Sequence, residues 1–173
     1  MRPEDVQGLR HVRAHSHLPV ALGERIHGSA ELHPYLDGGL VDVLQVDATH
    51  HGGITGLQRI VGWSEACNVR LAPHNVCGPI GTAAALHVLV AAPNAKVLEH
   101  FNDFADPWVH DIVSGAPFLN PEDGCFDLPT ALGLGVTLNK AACAAHPRTG
   151  GRLAVYSEGW EQRQDIHNYT AAR

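Results

Sequence analysis

A strand followed by a helix recurs along the chain from Leu18 to Leu98, and this alternation limits the fold more than any other feature. Leu18 to Leu22 (LPVAL) is a short apolar run that reads as a buried strand. Ser29 to Leu36 reads as a short helix, with Ser29 as N-cap and Asp37-Gly38-Gly39 closing it. Val41 to Val46 is the second strand. Thr55 to Ala66 is an amphipathic helix carrying Leu57, Ile60, Val61 and Trp63 on one face. Val69 to Ala72 is the third strand, Pro79 to Ala92 a buried helix, and Ala95 to Leu98 the fourth strand. A helix opened by Pro3-Glu4-Asp5, with Val6, Leu9 and Val12 on its apolar face, precedes the series. A last helix, Pro107 to Val113, and a Gly/Pro-rich segment follow it. Continuous apolar strands alternating with helices imply an α/β fold with a parallel sheet.

The chain has 173 residues, fewer than the roughly 200 that a complete (β/α)8 barrel needs. With 45% hydrophobic and 17% charged residues it can build a packed core. A net charge of −6 argues against a nucleic-acid partner. Cys67, Cys77, Cys125 and Cys143 form no C-x-x-C pair, which disfavours a zinc knuckle and fits a reducing cytoplasm. The N-terminus lacks the apolar stretch of a secretory signal. The uninterrupted apolar part of the longest uncharged stretch, Ile80 to Ala92, has 13 residues, short of the roughly 20 that a membrane span requires.

Glu24, Asp47, His74 and Glu99 stand at or just beyond the strand ends, at spacings of 23, 27 and 25 residues. Each spacing is close to one βα unit. Consecutive parallel strands end on the same edge of a sheet, so the four side chains are expected to converge. Such a set suits a metal plus acid/base site. Glu24 offers the hard oxygen donors that Mg2+ takes. Asp47 can fix the tautomer of His74 and stabilise its imidazolium, which suits His74 to proton transfer. Glu99 can face a substrate and, if protonated, donate to a developing oxyanion.

Each residue also has a plainer reading. A glutamate after a strand can cap a helix or form an ion pair. Asp47 can cap the helix near Thr55 or close a turn, and His74, beside Pro73 and Asn75, can pack a loop. His50-His51 can touch a substrate or fill a loop; His15, His17, His33, His87, His110, His146 and His167 are given no role. The absence of G-x-S-x-G, G-x-x-x-x-G-K-[ST] and G-x-G-x-x-G removes motif support for a serine hydrolase or a nucleotide site. An open doubly wound sheet binding a small anion is a further alternative.

The segments LPVALGER (18–25), VDVLQVDATHHGGIT (41–55), APHNVCGPIGTAAALHVLVAAPN (72–94), VLEHFNDF (97–104) and LPTALGLGVTLN (128–139) resemble the barrel region of the mandelate racemase/muconate lactonizing enzyme family of the enolase superfamily. The P-H-N and E-H-F-N-D segments look most like acid-sugar dehydratases of the galactonate or gluconate type. The resemblance implies a partial (β/α)8 TIM barrel, with about four βα units corresponding to strands 5–8. It implies a division into a barrel half (1–140) and a tail (141–173) that would return to a capping domain. Glu24 would match the third metal-binding carboxylate, Asp47 and His74 an Asp–His dyad, and Glu99 a carboxyl group that hydrogen-bonds the substrate carboxylate.

The implied chemistry is Mg2+-dependent removal of the proton α to a carboxylate, an enediolate, and loss of the β-hydroxyl. Racemase, epimerase or cycloisomerase activity is the alternative within the family. The chain departs from the pattern in carrying one of three expected metal carboxylates. Its two lysines, Lys96 and Lys140, lie outside the family's acid/base motif. Val46 and Leu132 stand where the family often has Pro. The expectation is an isolated half with negligible lyase activity, whose partners are a sugar acid, the missing N-terminal half or another copy of the chain in a homo-oligomer. A non-catalytic, self-associating relic is the other alternative. The last residues of the tail, with Arg148, Arg152, Trp160 and Arg163, are expected to be mobile without a docking partner.

Overall fold

The computed structural model describes residues 5–100, 107–117, 119–128 and 130–147. The tail beyond Pro147, Phe101 to Phe104 of the fourth family segment, and Pro3 and Glu4 lie outside the described residues.

Helix α1 (Val6–His15) comes first, and Asp5 caps it by accepting from the Gly8 amide at 2.8 Å. Leu9 is buried, but Val12 is 42% exposed, so the apolar face is narrower than its spacing suggests. Arg13 then grips Asp42 through both guanidinium nitrogens, at 2.5 and 2.7 Å. Asp42 also accepts from the Val20 amide. That amide bond, and then Arg13, outweigh partial desolvation and hold the Asp42 carboxyl below its usual range.

Strands β1 (Ala21–Leu22), β2 (Val43–Leu44) and β3 (Arg70–Leu71) form a parallel sheet in the order β1-β2-β3. Leu22 pairs with Leu44, and Leu44 with Leu71. The ladders are shorter than the apolar runs. Leu18, expected in the first strand, is 74% exposed and outside the ladder. Pro19 after it has no amide to donate.

The expected fourth strand is reduced to a parallel bridge between Ala95 and Leu71. Lys96 donates to the Leu71 carbonyl at 2.8 Å, but the next bond to β3 comes from Glu99 to Pro73 at 3.3 Å. Three residues span what a regular parallel ladder spans in two, and Pro73 offers no donor in return.

Helices α2 (Ser29–Leu36), α3 (Gly53–Ala66) and α4 (Gly78–Ala91) occupy the connections. Gly28, not Ser29, is the N-cap of α2, and no side chain caps it. Leu32, Leu57, Ile60 and Val88 pack with Leu44 and Leu71 in one core. Fully burying such a side chain is worth about 1.5–3 kcal/mol. Helix α4 is apolar on all sides, yet Ile80 and Val90 reach the surface at 39% and 58% exposure, so it is not buried throughout. Asn94 closes the bottom of the sheet by donating to the Ser64 hydroxyl at 2.9 Å and the Val69 carbonyl at 2.7 Å.

The expected last helix is a 3-10 segment, Pro107–Ile112, and Val113 instead starts strand β4 (Val113–Ser114). β4 pairs antiparallel with β5 (Thr137–Leu138), and helix α5 (Lys140–Ala145) follows. Trp108 stacks on His146 with ring centroids 4.3 Å apart. The Gly/Pro-rich segment thus carries a two-stranded antiparallel pair that propensity did not reveal. No helix among the described residues is long and apolar enough to cross a membrane.

Candidate active site

Gly23 directly follows β1 with φ +145°, and a Cβ there would lie 2.9 Å from the Gln45 carbonyl carbon. Only glycine allows this approach of β1 to β2. The next residue, Glu24, therefore leaves the sheet at the carboxyl end of β1, beside the end of β2. Asp47 follows β2 and is 2% exposed. His74 follows β3, after Ala72 and Pro73.

Glu24, Asp47 and His74 come together at this edge. His74 Nδ1 lies 2.8 Å from Asp47 Oδ2, and His74 Nε2 lies 3.4 Å from Glu24 Oε2. An ionised carboxylate only accepts, so Nδ1 carries the proton toward Asp47. That leaves Nε2 as the atom that can take up or release a proton on the Glu24 side. The His74 side chain is 12% exposed and that of Glu24 is 55% exposed, so the imidazole sits between a dry carboxylate and a wet one.

Asp47 is held from both ends. Its Oδ1 accepts from the Thr49 amide and hydroxyl, both at 2.7 Å, and the Cys77 thiol lies 3.5 Å from Oδ2. Burial opposes its charge. The bonds from the Thr49 hydroxyl, the His74 ring, the Thr49 amide and Cys77 outweigh burial and hold the carboxyl below its ordinary range. Asp47 does close a turn, its carbonyl accepting from the His50 and His51 amides. It does not cap α3, whose N-cap is Gly52.

Glu99 is placed beside this group by its backbone, through its amide bond to Pro73. Its Oε2 is buried with no hydrogen-bond partner among the described residues. The structure does not show its carboxylate joined to the other three side chains. His50 Nδ1 lies 3.2 Å from the Glu24 carbonyl, and its ring meets His27 edge-on at 4.9 Å. His51 is buried, and neither of its ring nitrogens has a hydrogen-bond partner among the described residues. Burial, then the neighbouring His27 and His50, lower its pKa against the opposing pull of Glu31 and Asp47.

Thr49, Asn75 and Cys77 escaped the sequence reading. Thr49 stands two residues after Asp47, the spacing of an Asx turn, and that signal could have found it. Asn75 is buried and anchors the His74 loop to α4, its Nδ2 2.9 Å from Thr82 Oγ1. Nothing in the sequence singles out Cys77.

Among the described residues, no group of three or more His, Cys, Asp or Glu side chains is arranged to hold a metal ion. Glu24 offers one carboxylate, half exposed and turned toward His74. Mg2+ needs near-octahedral oxygen ligation, so these residues do not fit a magnesium site by themselves. The chemistry they do support is proton transfer at His74 Nε2.

A parallel α/β sheet with acid/base side chains gathered at its carboxyl edge defines the class, and comparison with known proteins narrows it. Residues 1–142 match the model of the enolase C-terminal domain-like family, and the chain belongs to that family. It is 34% identical over 155 residues to a D-gluconate dehydratase of Thermoproteus tenax, spanning 90% of this chain and 31% of that one. It is 37% identical over 143 residues to a D-galactonate dehydratase of Ralstonia pickettii strain 12J, spanning 80% and 37%.

Among solved structures, a mandelate racemase/muconate lactonizing enzyme from Jannaschia sp. CCS1 superposes with a TM-score of 0.80 at 36% identity, over 88% of this chain and 38% of that one. An enolase from Pantoea ananatis, solved with bound D-gluconate and Mg, superposes at 0.79 with 29% identity, over 87% and 36%. The chain therefore spans about a third of the length of the relatives it matches.

Proposed function

We propose that this chain supplies the proton-transfer edge of an acid-sugar dehydratase. The observation that carries the reading is the Asp47–His74–Glu24 line, with Nε2 of His74 left as the exchangeable position. In this reading His74 Nε2 moves a proton to or from a sugar acid. Asp47 keeps the ring in one tautomer and stabilises the imidazolium. Glu99 hydrogen-bonds the substrate carboxylate; the unpartnered Oε2 supports that role. Glu24 is one carboxylate ligand of a Mg2+ ion whose other ligands are not supplied by the described residues. The D-gluconate and D-galactonate dehydratases among the relatives support dehydration, with racemisation, epimerisation or cycloisomerisation as the alternative within the family.

Residues 1–140 act here as half of a (β/α)8 barrel, and 141–173 as a segment returning to a capping domain. The four cysteines are all free thiols, which fits a cytoplasmic setting. The test is an assay of the pure chain with Mg2+ and a panel of sugar acids. The expected result is negligible turnover by the chain alone and turnover when it replaces the matching third of the T. tenax D-gluconate dehydratase. Turnover by the chain alone would overturn the incomplete-site reading.

A specific observation favours self-association as a second reading. The β1 edge has no partner strand among the described residues, and Leu18 and Val97 are 74% and 57% exposed. Such an edge invites pairing with the rest of a barrel or with another copy. Light scattering on the pure chain reads this directly, and a stable monodisperse monomer would count against it.

A further inference from the structure

Two donors from one residue converge on Oδ1 of Asp47: the Thr49 amide and the Thr49 hydroxyl. The amide bond is an Asx turn that any residue except proline can make at this position. The hydroxyl bond requires Ser or Thr. With only the amide, the carboxylate keeps some freedom of rotation. With both donors its plane is set, and Oδ2 is presented to His74 Nδ1 at 2.8 Å. Thr49 is itself exposed, so it adds little to the core. Its hydroxyl also lies 3.3 Å from Cys77 Sγ, the other group that reaches Asp47.

We infer that Thr49 is a positioning residue, which orients Asp47 and through it His74. The inference rests on the proton-transfer reading above for its chemical use, though not for its geometry. A core-packing role would depend on the size and shape of the side chain, which Val copies. A positioning role depends on the hydroxyl, which Ser keeps and Val lacks.

The test uses the whole 173-residue chain with isotope-labelled histidine. The readout is the exchange with water of the His74 Nδ1 proton, assigned by its loss in His74→Gln. Thr49→Ser is expected to keep that rate close to the native one. Thr49→Val is expected to raise it about ten-fold, the scale of one lost hydrogen bond to a charged group. An unchanged rate in Thr49→Val, or equal acceleration in Ser and Val, would overturn the proposal. Should Thr49→Val not fold, Thr49→Ala reads the same proton, and failure of both to fold would mark the role as structural and overturn it as well. The readout needs no turnover. A dehydratase assay that fails while the exchange pattern holds sinks the function alone, and the reverse result sinks only the positioning role.

Discussion

His74 Nδ1 and Asp47 Oδ2 lie 2.8 Å apart at the carboxyl edge of the sheet, one partner 12% exposed and the other 2%. A carboxylate this dry keeps its charge only through its donors, which hold its pKa below the ordinary value of 3.8. With the folded value lowered, Asp47 adds stability that is complete above the unfolded pKa and lost as pH falls through the folded one. Asp47→Asn is expected to lower unfolding free energy at pH 7 by about 1–3 kcal/mol. Urea denaturation at pH 7 and again below pH 4 checks this, and the gap between variant and native protein should shrink in acid.

His51 has the opposite chemistry, a base kept neutral. Its pKa is lowered by burial and by His27 and His50, so the unfolded chain binds a proton that the folded chain refuses. Stability from this group is complete above about pH 6.5 and falls as pH drops from there toward the folded value. His51→Leu removes two ring nitrogens that lack partners among the described residues. Its urea midpoint is expected to change less between pH 7.5 and pH 5.5 than that of the native chain.

Gly23 tests the local geometry that delivers Glu24. Gly23→Ala places a methyl 2.9 Å from the Gln45 carbonyl carbon on a backbone with φ +145°. The expected cost is about 1–3 kcal/mol, read as a lower thermal midpoint. A midpoint within a degree of the native one would show that β1 and β2 separate freely.

Leu44 and Leu132 separate core from surface. Leu44 is fully buried at the centre of the sheet, and Leu132 is 100% exposed. Leu44→Ala is expected to cost about 2–5 kcal/mol by leaving a cavity. Leu132→Ala should stay within about 0.5 kcal/mol. Paired denaturation curves check both.

The helices were the most legible part of the fold. Helix α3 carries Leu57, Ile60 and Val61 at helical spacing, and its start differs from the sequence reading by only two residues. Strand limits were less legible. Apolarity marks Leu18 and Val97 as strand residues, but a strand also needs a neighbour with free donors and acceptors. Pro19 and Pro73 lack donors, and the outer side of Ala95 has no partner strand among the described residues.

The site follows the same division. The βα periodicity pointed to the edge where Glu24, Asp47 and His74 meet, because parallel strands share a direction. That periodicity carries no information on bonds within a loop, so Thr49 was legible only from its Asx-turn spacing after Asp47 and Cys77 not at all. Nor could it set the Glu99 carboxylate, which follows an irregular junction rather than a regular ladder.

The most direct measurement is D-gluconate dehydration by the T. tenax enzyme carrying this chain in place of its matching third, with and without His74→Asn. Circular dichroism should first confirm that both proteins fold. The expected result is turnover by the first and a fall in kcat of about a hundred- to ten-thousand-fold in the second, the range for removing a general acid or base. Turnover left unchanged by His74→Asn would contradict His74 as the proton-transfer group, and a folded but inactive first protein would contradict the dehydratase reading itself.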